Sequence, residues 1–251
     1  MSEFDQALRD LVIANRVLAK EDVVDAYGHV SMRHPTNLER FLLSRSRSPQ
    51  LVDMSDIMEF TLDGKVVGSD NRPPYLERFI HGAIYESRPE INAVIHAHAE
   101  DILPFSISKT TKLQAVIAPG SALGHDVPVW DIREKFGDAT NLLVMNIEHG
   151  RDLTRRLAGN SVCLMRGHGF AAAEHTLQEV VRTAVYLPRI ARVQMAAMRL
   201  GEYTPLSYNE IEIKRKSHGP TTPESWRAWE YWAVNAGCAD LLGEPPKSGD
   251  R

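Results

Sequence analysis

The chain has 251 residues, of which 33 are acidic and 29 are basic, so its formal net charge is −4. Apolar residues make up 43% and charged residues 25%, values that are typical of a globular protein. The mild acidity disfavours a nucleic-acid-binding protein. The sequence contains no run of about 18 apolar residues, so no transmembrane helix is predicted. The acidic start predicts no signal peptide, and two cysteines are too few for a disulfide framework, so a cytoplasmic protein is expected.

The N-terminal half is predicted to alternate helices with short strands. Apolar periodicity and turn residues predict a helix over 4–20, strands over 30–33 and 41–44, a hairpin of 58–62 and 65–67 around Asp63-Gly64, a helix over 75–87 and a strand over 92–98. The second of these helices is expected to end before Pro89, because a residue that precedes proline disfavours the helical conformation.

The C-terminal half predicts a loop over 118–125, strands over 141–146 and 161–165, and helices over 149–158 and 176–200. Pro188 predicts a kink or a break in the last helix, and Gly201 predicts its C-terminal cap. A helical extension rich in tryptophan begins at about residue 203, and a frayed tail begins at Gly243. Because the elements interleave without a linker, residues 1–251 are predicted to form a single α/β domain.

His96 and His98 are two residues apart at the end of the predicted strand over 92–98. Alternate side chains of a strand point to the same face, so both imidazoles are predicted to lie together. Two such rings provide half of a metal site. An H-x-H pair also arises by chance, so the pair alone leaves metal binding and an incidental pattern open.

His168 follows a second predicted strand, within Arg166-Gly167-His168-Gly169. The two glycines allow the backbone to approach a neighbour or a ligand closely. A third histidine at a strand end would complete a three-histidine face that leaves a coordination position open, as a catalytic metal requires.

Glu77 lies early in the predicted helix over 75–87, with His81 one turn later on the same face. The helix dipole favours a carboxylate at that position. A fourth metal ligand, a general base and an exposed surface charge are all open roles for Glu77. Asp101, three residues after His98, is predicted either to orient a ligand histidine or to cap a helix. His34, His149, His175 and His218 are assigned to the surface or to structure.

The motifs occur in the order Gly28-His29-Val30-Ser31, Glu77-x-x-x-His81, His96-x-His98 and Gly167-His168-Gly169. The set resembles the class II aldolase/adducin family over about residues 5–200. The resemblance implies a three-layer α/β/α fold with a central, largely antiparallel sheet, and a homotetramer with active sites between subunits. It also implies that His96, His98 and His168 bind a divalent metal (zinc, manganese or iron), that Glu77 is the acid/base residue, and that no organic cofactor is needed.

Three departures distinguish the chain from the sugar-phosphate aldolases of that family. His29 stands where an asparagine binds phosphate, Tyr75 and Leu76 stand where two serines precede the catalytic glutamate, and Arg45 and Arg47 occupy a turn that otherwise binds phosphate. Guanidinium groups pair with carboxylates, and an aromatic side chain packs against a flat ring. The predicted substrate-binding residues are His29, Ser31, Arg45, Arg47 and Tyr75. Surface charge is the alternative for the two arginines.

These departures resemble the decarboxylase branch of the family, whose members act on hydroxylated pyridine and phthalate dicarboxylates. The chain is therefore predicted to be a lyase of aromatic catabolism that removes a carboxyl group without oxidation and interacts with neither membranes nor nucleic acids. The alternative within enzymes is an aldolase or epimerase acting on a non-phosphorylated sugar or hydroxy-keto acid. A non-catalytic, adducin-like scaffold is disfavoured because it would need neither Glu77 nor the three histidines.

Overall fold

The computed structural model describes residues 2–217, 219 and 222–245. His218 and the end of the predicted tail therefore lie outside the described residues. Within the described part, no helix combines the length and the apolarity needed to cross a membrane.

A seven-stranded mixed sheet forms the centre of the described structure. Its order is β3-β2-β1-β4-β7-β6-β5, and every neighbouring pair is antiparallel except β5 and β6. The strands are β1 (His29–Arg33), β2 (Arg40–Ser44), β3 (Ile57–Thr61), β4 (Ala93–Ala97), β5 (Val129–Trp130), β6 (Val162–Met165) and β7 (Gly169–Glu174). The predicted α/β class with a largely antiparallel sheet is confirmed.

Helices cover both faces of this sheet. They are α1 (Glu3–Lys20), α2 (Arg78–Ser87), α3 (Leu103–Ile107), α4 (Arg133–Phe136), α5 (Ile147–Leu157), α6 (Leu177–Leu200), α7 (Tyr208–Ser217) and α8 (Pro223–Asn235). Alternate strand residues enter two separate apolar clusters, one shared with α1, α6 and α8 and the other with α2 and α5. The three layers follow because each sheet face buries its apolar side chains under its own set of helices.

The run over 141–146 is a loop, so the predicted strand there is wrong. Its apolar character has another cause: Val144 is fully buried in the cluster beneath α2 and α5. Leu142 has a positive φ of 67°, and the Asn146 side chain caps α5, so the backbone turns instead of extending beside a strand. Conversely, β7 forms where no strand was predicted. Its run of small residues pairs with β4 on one edge and with β6 on the other.

Helix α6 continues without a break through Pro188, so the predicted break is wrong. Pro188 and its neighbours Leu187 and Ile190 are buried, and this packing offsets the loss of one backbone hydrogen bond. Gly201 caps the helix with a φ of 123°, as predicted.

The segment after residue 203 contains α7 and α8, and Trp229 and Trp232 of α8 are buried in the same cluster as α1 and α6.

Candidate metal centre and active site

The central strands carry the first predicted ligand. His96 of β4 is fully buried and lies opposite His29 of β1 in the antiparallel register, so the two rings share one face of the sheet. The His96 Nδ1–H donates to the carbonyl oxygen of Phe170 at 3.0 Å. This bond leaves the lone pair on Nε2, which is the atom that turns toward the other ligands.

The other two predicted histidines lie just beyond strand ends. His98 follows β4, and His168 occupies the turn that joins β6 to β7. Gly167 in that turn has a φ of 64°, which favours glycine. A Cβ added at Gly169 would collide with the carbonyl oxygen of Ala97 and press on the His98 ring. The predicted close backbone approach is therefore confirmed at Gly169, whereas Gly167 is favoured by its positive φ.

Glu77 immediately precedes α2, which begins at Arg78, so the prediction that Glu77 lies inside a helix over 75–87 is wrong. An antiparallel bridge from Arg45 holds Pro74 in an extended conformation and delays the start of the helix. Glu77 Oε1 accepts the backbone N–H of Val144 at 2.9 Å. Its Oε2 lies 3.3 Å from His96 Nε2 and 3.5 Å from His168 Nε2.

These four side chains, the histidine cluster, place one ligand atom each within 4.8 Å of one another. His98 Nε2 lies 2.9 Å from His96 Nε2 and 3.1 Å from His168 Nε2. A tetrahedral ion with metal–nitrogen bonds of about 2.1 Å would hold its ligand atoms about 3.4 Å apart. Three imidazole nitrogens and a carboxylate that converge at such distances are the donor set of a divalent metal, so the residues fit such an ion.

Burial sets the protonation states of the cluster. Burial first, and the neighbouring His96 second, lower the pKa values of His98 and His168 to about 4. Burial opposes ionisation of Glu77, but the nearby His96 and His168 hold the pKa of that carboxyl at about 2. Neutral imidazoles and an ionised carboxylate at neutral pH are the forms that bind a metal.

His29 lies beside the cluster, with its ring centroid 5.2 Å from that of His96 and 4.5 Å from that of Tyr75. Its Nδ1 lies 2.6 Å from His81 Nε2. Ser31 is fully buried, and its hydroxyl is bonded to His81 and Tyr85. These bonds already occupy the hydroxyl group of Ser31. The contact of Ser31 with substrate stays a prediction.

Arg45 and Arg47 share one buried carboxylate. Arg45 Nε lies 2.7 Å from Asp56 Oδ1, and Arg47 Nη1 lies 2.7 Å from Asp56 Oδ2. Burial raises the pKa of Asp56, but the two guanidinium bonds outweigh it and hold that pKa below its usual range. The two arginines, here the arginine pair, keep about a third of each side chain exposed, so they are neither free surface charge nor fully enclosed.

Tyr75 links the arginine pair to His29. Its hydroxyl donates to the backbone carbonyl of Arg47, and its ring packs on the ring of His29. The residues predicted to bind substrate, other than Ser31, therefore form a connected set that reaches His96 through ring contacts. Their predicted contact with substrate remains a prediction.

Asp101 is neither a partner of His98 nor a helix cap. It pairs with Arg192, and Ala99 holds the capping position.

Two contributors were missed by sequence reasoning. Val144 acts through its backbone N–H, for which a side-chain pattern gives no signal. Asp56 is a carboxylate between Ser55 and an apolar strand, and only its proximity to a paired arginine motif could have indicated it.

Comparison with known proteins identifies the relatives of this site. The family model for the class II aldolase and adducin N-terminal domain matches residues 9–195. Decarboxylase tropJ of Talaromyces stipitatus is 31% identical over 90% of this chain and 92% of its own length. The 3,4-dihydroxyphthalate decarboxylase of Arthrobacter keyseri is 28% identical over 76% of this chain and 78% of its own length.

Solved structures agree on the fold. An aldolase II superfamily protein from Pseudomonas syringae superposes with a TM-score of 0.76 at 23% identity, covering 94% of both chains. L-fuculose 1-phosphate aldolase from Glaciozyma antarctica superposes with a TM-score of 0.73 at 23% identity, covering 98% of this chain and 94% of its own. The predicted resemblance is confirmed: the chain belongs to the class II aldolase/adducin family.

Proposed function

We propose that this protein is a metal-dependent carbon–carbon lyase that removes a carboxyl group, without oxidation, from a hydroxylated aromatic or pyridine carboxylate. The observation that carries the proposal is the convergence of three imidazole nitrogens and one fixed carboxylate. Relatives named as decarboxylases, similar over most of the chain, support the removal of a carboxyl group. One of them is named for 3,4-dihydroxyphthalate, a hydroxylated aromatic dicarboxylate.

His96, His98 and His168 would hold zinc, manganese or iron, with Glu77 as a neighbour or a fourth ligand. A bound divalent ion supplies a Lewis acid that stabilises negative charge on a substrate oxygen. The protein contributes a preformed cluster in which the Phe170 carbonyl fixes the tautomer of His96. The metal-binding role of the cluster is supported by its donor set, and the choice among the three metals is left to measurement.

Glu77 is the group that moves the proton in this proposal. Its Oε1 is held by Val144, so Oε2 is the atom free to accept a proton from the substrate hydroxyl and pass it to the ring carbon that bears the leaving carboxylate. Protonation gives the keto form of the ring. The carbon–carbon bond then breaks, its electrons restore the aromatic ring, and CO₂ leaves. Solvent returns a proton to the product oxygen.

His29, Tyr75 and the arginine pair bind and orient the substrate in this proposal. The Tyr75 ring offers an apolar face for the flat substrate, and the exposed N–H groups of Arg45 and Arg47 offer charge-assisted bonds to a carboxylate. Orientation matters because the carbon that loses CO₂ must lie within reach of Glu77 Oε2.

The test begins with metal analysis of the purified protein. It continues with a panel of hydroxylated benzene and pyridine mono- and dicarboxylates, with CO₂ release as the readout. We expect a stoichiometric metal and CO₂ equimolar with the decarboxylated product from at least one acid. Retro-aldol cleavage or epimerisation of a non-phosphorylated sugar or hydroxy-keto acid, without CO₂ from any acid, would overturn the ranking and favour the aldolase or epimerase alternative.

Assembly into a homo-oligomer in the cytoplasm, as a tetramer with active sites between subunits, is part of the proposal. Leu76, Ile107 and Met145 support it, because these large apolar side chains are 56%, 60% and 40% exposed. Leu76 adjoins Glu77 in the chain, and Met145 follows Val144. Large exposed apolar side chains favour a surface that another subunit covers.

A further inference from the structure

Four buried polar side chains form one continuous line of hydrogen bonds that ends at His29. Tyr85 Oη lies 2.8 Å from Ser31 Oγ, Ser31 Oγ lies 2.6 Å from His81 Nδ1, and His81 Nε2 lies 2.6 Å from His29 Nδ1. All four residues are at least nine-tenths buried. We call Tyr85, Ser31 and His81 the buried line.

The hydrogens along this line can be counted. Each hydroxyl carries one hydrogen, and each neutral imidazole carries one. The two adjacent rings share one hydrogen: His29 Nδ1 and His81 Nε2 lie 2.6 Å apart, so one of these atoms donates and the other accepts. With one hydrogen on each of the four groups, three hydrogens fill the three bonds and one lies outside them.

Each direction leaves one of the four hydrogens outside the three bonds, and the favoured direction leaves it on His29 Nε2, at the end beside His96, and not on the hydroxyl group of Tyr85, which is 1% exposed. If Tyr85 donates to Ser31, then Ser31 donates to His81 Nδ1, His81 Nε2–H donates to His29 Nδ1, and His29 carries its own hydrogen on Nε2. The opposite direction leaves the Tyr85 hydroxyl hydrogen outside the three bonds. One contact favours the opposite direction: the Val94 backbone raises the pKa of His81, as a nearby carbonyl would.

We propose that Tyr85, Ser31 and His81 are positioning residues that fix the tautomer of His29 and present its Nε2–H as a neutral donor to a substrate oxygen. The identity of that oxygen, a carboxylate or a phenolate, rests on the proposed function. The tautomer has a second consequence. A protonated Nε2 cannot bind a metal, so His29 stays out of the coordination of the nearby cluster although its ring lies 5.2 Å from that of His96.

Two substitutions at His81 test the line. In H81Q the amide nitrogen can still donate to His29 Nδ1, whereas H81M fills a similar volume without any N–H group. We expect H81M to raise KM by about tenfold or more, with a smaller change in kcat. A tenfold rise corresponds to the loss of one hydrogen bond to a charged group. H81Q should restore KM to within about threefold of the wild type, a difference of less than one such hydrogen bond. Equal KM values for H81M and H81Q would overturn the proposal.

A spectroscopic readout is independent of turnover. In protein with ¹⁵N-labelled histidine and bound Zn²⁺, the ¹⁵N shifts separate protonated from unprotonated ring nitrogens, and H29N assigns the His29 signals. We expect Nε2 of His29 to be protonated in the wild type and a mixture of tautomers in S31A, which also serves if H81M does not fold. Protonation at Nδ1 in the wild type would overturn the proposal. Absence of decarboxylation with Nε2 protonated would instead refute the proposed function alone.

Discussion

The histidine cluster and the arginine pair are both groups of charged or ligand-forming side chains, yet they differ in how their charges are balanced. The cluster brings together three imidazole nitrogens and a carboxylate, all of them groups that bind a divalent metal. The arginine pair is internally compensated, because Asp56 accepts a bond from each guanidinium. The first arrangement could therefore hold an external cation, whereas the second is compensated by Asp56 and keeps one net positive charge.

The two regions also differ in the backbone that carries them. Strand pairing between β1, β4 and β7 fixes His29 and His96 in register. Arg45 and Arg47 follow β2 in a segment bridged to Pro74, and their guanidinium groups are held by side-chain bonds to Asp56. Loss of one side chain should therefore abolish metal binding in the cluster but only weaken substrate binding in the arginine pair.

The largest effect is expected from H98A. Loss of a residue that only supports a ligand typically lowers metal affinity or activity by about 10–100-fold. Loss of a ligand itself should cost more, so both metal content and turnover should fall by at least about 100-fold. H175A is the matched control, since His175 follows the opposite end of β7 and bonds to Glu90. Elemental analysis and CO₂ assays measure the result. Retention of full metal content by H98A would refute the ligand assignment.

E77Q should separate chemistry from metal binding. Glutamine keeps the contact with Val144 but cannot carry the proton, so kcat should fall by about 10²–10⁴-fold while the three histidines retain the metal. E86Q, on the exposed side of the following helix, should leave kcat unchanged. Full activity of E77Q would exclude Glu77 as the acid/base residue.

R47M sharpens the contrast at the arginine pair. If Arg47 contacts a substrate carboxylate, KM should rise about tenfold with kcat nearly unchanged, because one charge-assisted bond is lost. R40M is the control, since Arg40 forms a salt bridge with Glu59 at similar exposure. A lower melting temperature with an unchanged KM would show that Arg47 serves only to hold Asp56.

The smallest effect is expected from G169A. The added Cβ would meet the Ala97 carbonyl, so the free energy of unfolding should fall by about 1–3 kcal/mol, and metal affinity should fall with it because the His98 ring is displaced. At Gly159 an added Cβ meets nothing within 4 Å, so G159A is the control. Thermal melts with and without metal measure both quantities. Equal melts for the two variants would contradict the close approach of β7 to β4.

Sequence reasoning predicted what depends on local periodicity and spacing. The strand end at His96 and His98 and the glycines around His168 follow from patterns within a few residues, whereas the three-layer fold was implied by the resemblance to a known family. It could not predict what depends on distant pairing. The run over 141–146 has the apolar character of a strand, but its structure is decided by Val144 packing into the core and donating to Glu77. The start of α2 at Arg78 is likewise set by the bridge between Arg45 and Pro74.

The turn that carries His168 lies 70 residues beyond His98, and the pairing of β4 with β7 brings them together. Contacts of such long sequence separation form late in folding, because the entropy of closing the intervening loop must be overcome first. The unfolded chain therefore has no site to offer an ion. A metal that binds only the native state raises its stability by mass action, so the melting temperature of this protein should rise steadily with the concentration of free metal.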